Sequence, residues 1–233
     1  MTLQAVLFDL NGTIANTDGL HQPIVEQLLL AQNLRLEAGE YRALCPDRSD
    51  RACLSALLAR RGRSTTADGL DGLLAAKSAA LDEALRQQPA PALYPDVAAL
   101  LARLDAAGLA VGVVAGMALR DAQQVLAHAG LSQAFAAIAS AEEAGDPYTL
   151  ALARLSERSA GSSHLIPSRC LAIEATEIGI AAAHRAGLPV AAVTHRHPLH
   201  MLQRQADWAI DRLGELELER LQQAFAQARA GEC

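Results

Sequence analysis

Short β-rich runs recur along this chain with helical stripes between them, and that alternation limits the fold more tightly than any other feature. The runs are Ala5–Phe8, Val111–Val114, Ala136–Ser140, Cys170–Glu174, Val190–Val193 and Trp208–Ile210. Between them, Val97, Leu100, Leu101 and Leu104 form the apolar stripe of a helix packed on a sheet, closed by Gly108. Ala122, Val125, Leu126 and Ala129 repeat the pattern before Gly130. Parallel neighbours need a connection long enough to hold a helix, so the expected fold is α/β with a doubly wound parallel sheet.

From Asn16 to about Gln88 the alternation stops. Pro23–Leu30, Arg51–Arg60 and Leu73–Leu85 carry helical patterns with no convincing strand among them, which predicts a helical insert over residues 16–88. Pro89, Pro91 and Pro95 mark the return to the main domain, since a residue before proline resists helix. The expected core is then 1–15 together with 89–233. A length of 233 residues at 51% hydrophobic content supports one substantial domain and a small second one. Aromatics make up only 3%, so the core must be packed from Leu, Ala, Val and Ile.

A net charge of −6 supplies no basic field for counterion release, which argues against nucleic acid as a partner. The longest apolar region, Val97 to Leu119, is divided by Arg103, Asp105 and Gly108, and reads as helix, turn and buried strand rather than a membrane span. Met1 leads into the first strand without the basic region and apolar stretch of a signal peptide, so a cytoplasmic location is expected. Cys45, Cys53, Cys170 and Cys233 lack paired CxxC spacing. They are expected to be reduced thiols, forming neither a zinc site nor a disulfide framework.

The first strand ends in Phe8-Asp9-Leu10-Asn11-Gly12-Thr13, which sets a carboxylate at the carboxyl edge of a parallel strand, where open α/β sheets bind ligands. Taken alone, Asp9 reads equally well as a cap. Its surroundings, AVLFDLNGTIANTDGLH, resemble the first motif of haloacid dehalogenase (HAD) superfamily phosphatases and phosphoglucomutases, hhhDxDGT. The resemblance continues through Leu93-Tyr94-Pro95-Asp96, like the family's return from cap to core. It extends to Ala172-Ile173-Glu174 with Gly179-Ile180, Ala182-Ala183 and Ala186-Gly187, like its fourth motif, and to Ala206-Asp207 with Ile210, like its last strand.

The resemblance implies a helical cap over residues 16–88, Asp9 as a nucleophile that forms an aspartyl-phosphate, and Mg²⁺ as cofactor. It also exposes four departures. The family's general acid and base is here Asn11, whose amide exchanges no proton at neutral pH. The Ser or Thr that holds a phosphoryl oxygen is Ala115, leaving the backbone N–H groups of Gly116 and Met117 to face an anion. The charge-neutralising Lys before Pro is Asp146. The second acid of the fourth motif is Ala175, which weakens Mg²⁺ binding and leaves Asp9, Asn11 and Glu174 as candidate ligands. Asp146 either joins them, completing an oxygen-rich Mg²⁺ site, or caps the helix that begins near Pro147.

In the cap, Arg48 and Lys77 fall where phosphoglucomutase-like members carry basic residues facing the substrate's non-reacting phosphate, and His21 matches a hinge-proximal histidine. Each reads alternatively as a solvated or structural side chain. His195, His197 and His200 follow the fifth strand at no known ligand spacing and are expected on a variable exposed loop. Two functions follow from the resemblance. One is a HAD hydrolase acting weakly on a small phosphorylated metabolite. The other is a catalytically retired member that binds a ligand or protein partner without turnover. Hydrolytic dehalogenation is disfavoured, because that branch keeps a Lys to balance charge where this chain has Asp146.

Overall fold

The structure, a computed structural model, describes residues 2–87, 92–158 and 164–227. Pro89, Pro91 and Cys233 lie outside them. The chain opens with β1 (Ala5–Asp9) and a short strand β2 (Ala15–Asn16), then runs through α1 (Asp18–Ala31), α2 (Glu40–Leu44), α3 (Asp50–Ala59) and α4 (Ala67–Gln87). It returns through β3 (Ala92–Leu93) and alternates from there. The order is α5 (Val97–Ala106), β4 (Ala110–Ala115), α6 (Leu119–His128), β5 (Ala137–Ser140), α7 (Pro147–Arg158), β6 (Cys170–Glu174) and α8 (Glu177–Arg185), followed by β7 (Val190–Val193), α9 (Leu199–Leu202), β8 (Trp208–Ile210) and α10 (Leu218–Gln227).

Six strands form one sheet in the order β5-β4-β1-β6-β7-β8, and every pairing is parallel. Strand β1 is the pivot: Leu7 pairs with Gly112 of β4 on one side and Ala172 of β6 on the other. Winding reverses there, which opens a crevice beyond the carboxyl end of β1. Alternate β1 side chains enter opposite layers, so Val6 and Phe8 join one apolar core while Ala5 and Leu7 join the other. Helices cover both faces, and the strands read as near-continuous apolar runs for that reason. No described helix is long and apolar enough to cross a membrane.

The helices between β2 and β3 carry an apolar cluster of their own, built on Val25, Leu29, Tyr41, Leu54 and Leu57. The chain enters and leaves this block side by side, because Ala15 pairs antiparallel with Leu93 and Asn16 with Ala92. These two-residue strands are too short to announce themselves by periodicity.

The thiol expectation fails at two positions. Cys45 and Cys53 form a disulfide, because the turn between α2 and α3 brings their Cα atoms to 4.6 Å, within bridging range. A spacing of eight residues carries no signal of that approach in the sequence. Cys170 is a free thiol buried in β6, as expected.

At the outer margin of the sheet, two arginines of α7 cover the free side of β5. Arg154 Nη1 donates to the carbonyl of Ile138 at 2.6 Å, and Arg158 Nη1 to that of Ala136 at 2.9 Å.

Candidate active site

Strand β1 delivers Asp9 to the carboxyl edge, and the chain must then turn back on itself. Leu10 N still donates to Val114 O at 3.0 Å, while Gly12 N donates to Ala15 O at 3.0 Å and closes the turn. Gly12 takes φ +102°, and a Cβ there would lie 2.4 Å from Cδ of Arg196, so only glycine fits. Thr13 Oγ1 reaches Asp9 Oδ2 at 3.4 Å.

Asn11 is held at both ends of its amide. Its Nδ2 donates to Asp18 Oδ1 at 3.0 Å, and its Oδ1 accepts from Thr17 N at 3.0 Å. The side chain therefore ties the loop after β1 to the start of α1.

Glu174, at the end of β6, is 3% exposed. Its Oε1 accepts from the hydroxyl of Tyr148, and its Oε2 from Ala175 N at 3.1 Å and Thr176 Oγ1 at 3.3 Å. The carboxylate lies against the first turn of α8 so closely that a Cβ at Gly179 would be 2.1 Å from Oε1. Ala175 beside it is fully buried and has no oxygen in its side chain.

Strand β4 ends in the buried Ala115, followed by Gly116 and Met117, whose carbonyl accepts from Ser140 Oγ at 2.6 Å. Asp146 takes the capping alternative at the start of α7. Its Oδ1 accepts from Thr149 N at 2.9 Å and Thr149 Oγ1 at 3.2 Å, capping α7, because Asp ahead of Pro suits a helix start.

Asp9, Asn11, Ala115, Gly116, Met117 and Glu174 line one side of a cavity of about 140 Å³. His21, Arg48 and Lys77 from the helical block line the other. Lys77 is buried and ion-paired with Asp50 at 2.7 Å, so its charge is already answered. Arg48 makes no ion pair among the described residues. His21 is 4% exposed, and neither of its ring nitrogens has a hydrogen-bond partner among the described residues. The roof of the cavity rests on the core through Asp50 N, which donates to Gly116 O at 2.9 Å, and Arg51 N, which donates to Glu142 Oε1 at 2.8 Å.

The loop after β7 is not the exposed, variable segment its composition suggests. His195 stacks on Tyr94 with ring centroids 4.0 Å apart, and its Nδ1–H donates to Gly12 O at 3.0 Å. Arg196, whose side chain is 8% exposed, pairs with Asp18 and Asp47 and donates to Pro46 O at 2.7 Å. His197 Nε2 meets Asp47 Oδ2 at 2.8 Å. Only His200 is exposed as expected. The loop thus clasps both the hinge and the roof of the cavity.

Electrostatics follow from this enclosure. Burial, helped by the neighbouring Glu174, pushes the Asp9 carboxyl well above the usual carboxylate range, against the pull of Arg196 and the Thr13 hydrogen bond. Burial raises Glu174 to about 7 in spite of its donors. Burial, with Lys77 and Arg196 nearby, holds His21 well below its ordinary value and so neutral.

Mg²⁺ demands a near-octahedral oxygen set, usually anchored by one or two carboxylates. Beyond the Asp9 and Glu174 carboxyls, the side chains present do not fit it. Asn11 has spent its amide oxygen on Thr17, Ala175 offers nothing, Asp146 is turned to Thr149, and three donors converge on Glu174. Among the described residues no group of three or more His, Cys, Asp or Glu side chains stands ready for a metal ion.

Sequence reasoning missed Tyr148 and Arg196. Tyr148 directly follows the Asp146-Pro147 pair that marks a departure from the family pattern, and an aromatic at the first turn of a helix behind the site was the available signal. Arg196 carried none, because its partners Pro46 and Asp47 lie some 150 residues away in the chain.

A parallel sheet wound both ways from β1, with an acid at the ends of β1 and β6 beneath inserted helices, defines a doubly wound α/β fold with its site at the switch point. The model of the haloacid dehalogenase-like hydrolase family matches residues 3–187, and the chain belongs to that family. It is 27% identical over 221 residues to Protein CbbY of Rhodobacter capsulatus, covering 90% of this chain and 93% of that protein. A mutant of CbbY from Rhodobacter sphaeroides, crystallised in complex with xylulose-(1,5)bisphosphate, matches with a TM-score of 0.77 at 25% identity over 93% of this chain and 96% of that one. β-Phosphoglucomutase from Clostridium difficile shares the fold with a TM-score of 0.78 at 20% identity over 97% and 98% of the two chains. These likenesses support the phosphatase and phosphoglucomutase-like branch.

Proposed function

We propose that this chain binds a small phosphorylated metabolite between Asp9 and the helices of residues 16–88, which act as its cap, and turns it over weakly or not at all. In this reading a phosphoryl group sits against the backbone N–H groups of Gly116 and Met117, with Arg48, Lys77 and His21 facing the rest of the ligand. Asp9 is the one group positioned to attack phosphorus. The bond from phosphorus to the leaving oxygen would then break without a proton donor, since Asn11 has none to give.

The observation that carries the reading is the fixed amide of Asn11, locked between Thr17 and Asp18 where a proton-transferring acid is required. General acid–base help of this kind is worth about 10²–10⁴ in rate. Phosphoryl transfer depends on charge stabilisation, and Ala115, Asp146 and Ala175 withdraw it at three further points. The xylulose bisphosphate complex of the CbbY relative makes a sugar phosphate the first ligand class to try.

The test is a panel of phosphorylated metabolites, xylulose bisphosphate among them, assayed with wild type and Asp9→Asn beside a calorimetric binding screen. Binding, with any Asp9-dependent turnover well below about 1 s⁻¹, is the expected result. Asp9-dependent turnover in the ordinary enzymatic range of about 1–10³ s⁻¹ would refute it.

A further inference from the structure

We propose that the Tyr148 hydroxyl takes the place of a divalent cation at the Glu174 carboxyl, beside Asp9, so that the cavity accepts its phosphorylated ligand without a metal. The inference rests on the reading of the cavity as a phosphate site and adds how that site is completed.

Tyr148 is 1% exposed and among the largest wholly buried side chains of the molecule. It lines the cavity together with Asp9 and Glu174, and its hydroxyl donates to Glu174 Oε1. A buried carboxyl must have its lone pairs answered, either by a cation or by hydrogen-bond donors. At Glu174 three donors meet it: the phenol on one oxygen, Ala175 N and Thr176 Oγ1 on the other. Two further side-chain oxygens that a metal could use are missing from the same place, since the Asn11 amide oxygen is tied to Thr17, and Ala175 has no oxygen in its side chain.

The arrangement at the start of α7 accounts for the exchange. Asp146 turns outward to cap the helix, and Tyr148, two residues on, turns inward. A phenol can donate a hydrogen bond but carries no positive charge, so it satisfies Glu174 without drawing an anion to it. Attraction for phosphate then falls to Arg48, the cavity cation without an acid partner among the described residues, and to the N–H groups of Gly116 and Met117.

Titration of ligand-free protein with Mn²⁺, followed by electron paramagnetic resonance, reads the metal directly and needs no activity. Calorimetry with inorganic phosphate, in the presence and absence of Mg²⁺, reads the anion. Wild type is expected to show no Mn²⁺ site that saturates below millimolar concentration, and a phosphate affinity that Mg²⁺ changes by less than about twofold. The double variant Tyr148→Phe, Ala175→Asp is expected to gain Mn²⁺ affinity by at least about tenfold, the scale on which groups around a metal tune it. Should Asp at the buried position 175 prevent folding, the wild-type titration still decides. Micromolar Mn²⁺ binding by wild type that Glu174→Gln abolishes would overturn the proposal, and so would phosphate binding that requires Mg²⁺. Phosphate that binds under neither condition sinks the phosphate-site reading instead, while the Mn²⁺ titration continues to settle the metal.

Discussion

Glu174 concentrates the physical conflict of the site, being an acid enclosed by apolar strands and satisfied by three neutral donors. Its folded-state pKa rises from the ordinary 4.5 to about 7, so between these values the folded chain keeps a proton that the unfolded chain has lost. Stability is therefore highest below that window and falls as pH rises through it, by up to about 1.4 kcal/mol per pH unit. Asp9 is raised in the same sense and adds to the slope. In urea denaturation between pH 4.5 and 7, Glu174→Gln is expected to flatten the decline; equal slopes for variant and wild type would show that Glu174 ionises freely in the fold. At this scale the lost chemistry was legible in the sequence, because Asn11, Ala115 and Ala175 each remove a functional group by their identity alone. What replaced it was not legible, since a Tyr at position 148 reads the same whether its hydroxyl points at an acid or at solvent.

The loop after β7 teaches the corresponding lesson for elements. All six core strands, and helices α1, α3, α4, α5 and α6, stand where their apolar patterns predict, because period and length are written locally. Helix α2 and the β2–β3 pair are too short to show a period, and a polar run such as Thr194-His195-Arg196-His197 resembles solvent-facing loop until its partners are known. Those partners, Asp18, Pro46 and Asp47, make the loop a clasp between core and roof. Hydrogen bonds to charged groups of this kind contribute about 1.5–3 kcal/mol each. Arg196→Ala is expected to raise amide hydrogen exchange in residues 45–53 by at least about tenfold, while β1, β4 and β6 keep their protection. Unchanged exchange in the roof would mean that the Asp50 and Arg51 contacts hold it without help.

For the whole molecule, the helical block is stapled within itself by Cys45–Cys53, and its chain enters and leaves through a paired doorway. Closing so short a loop restricts the unfolded chain by about 2–3 kcal/mol, on a chain-entropy view. Denaturation with and without a thiol reductant is expected to differ by that amount in wild type and not at all in Cys45→Ser, Cys53→Ser. Equal midpoints for wild type under both conditions would show that the bridge adds nothing. The overall architecture was readable because helices alternating with apolar runs leave few ways to build a sheet, whereas a bridge across a turn depends on distances that no spacing rule encodes. The two arginines over β5 bear on how this molecule lives among its neighbours. Every open sheet ends in a strand whose backbone acceptors invite a stranger's strand to dock, and crowding sharpens the invitation. With the carbonyls of Ile138 and Ala136 already engaged, a strand arriving at that margin would find two of its acceptors taken.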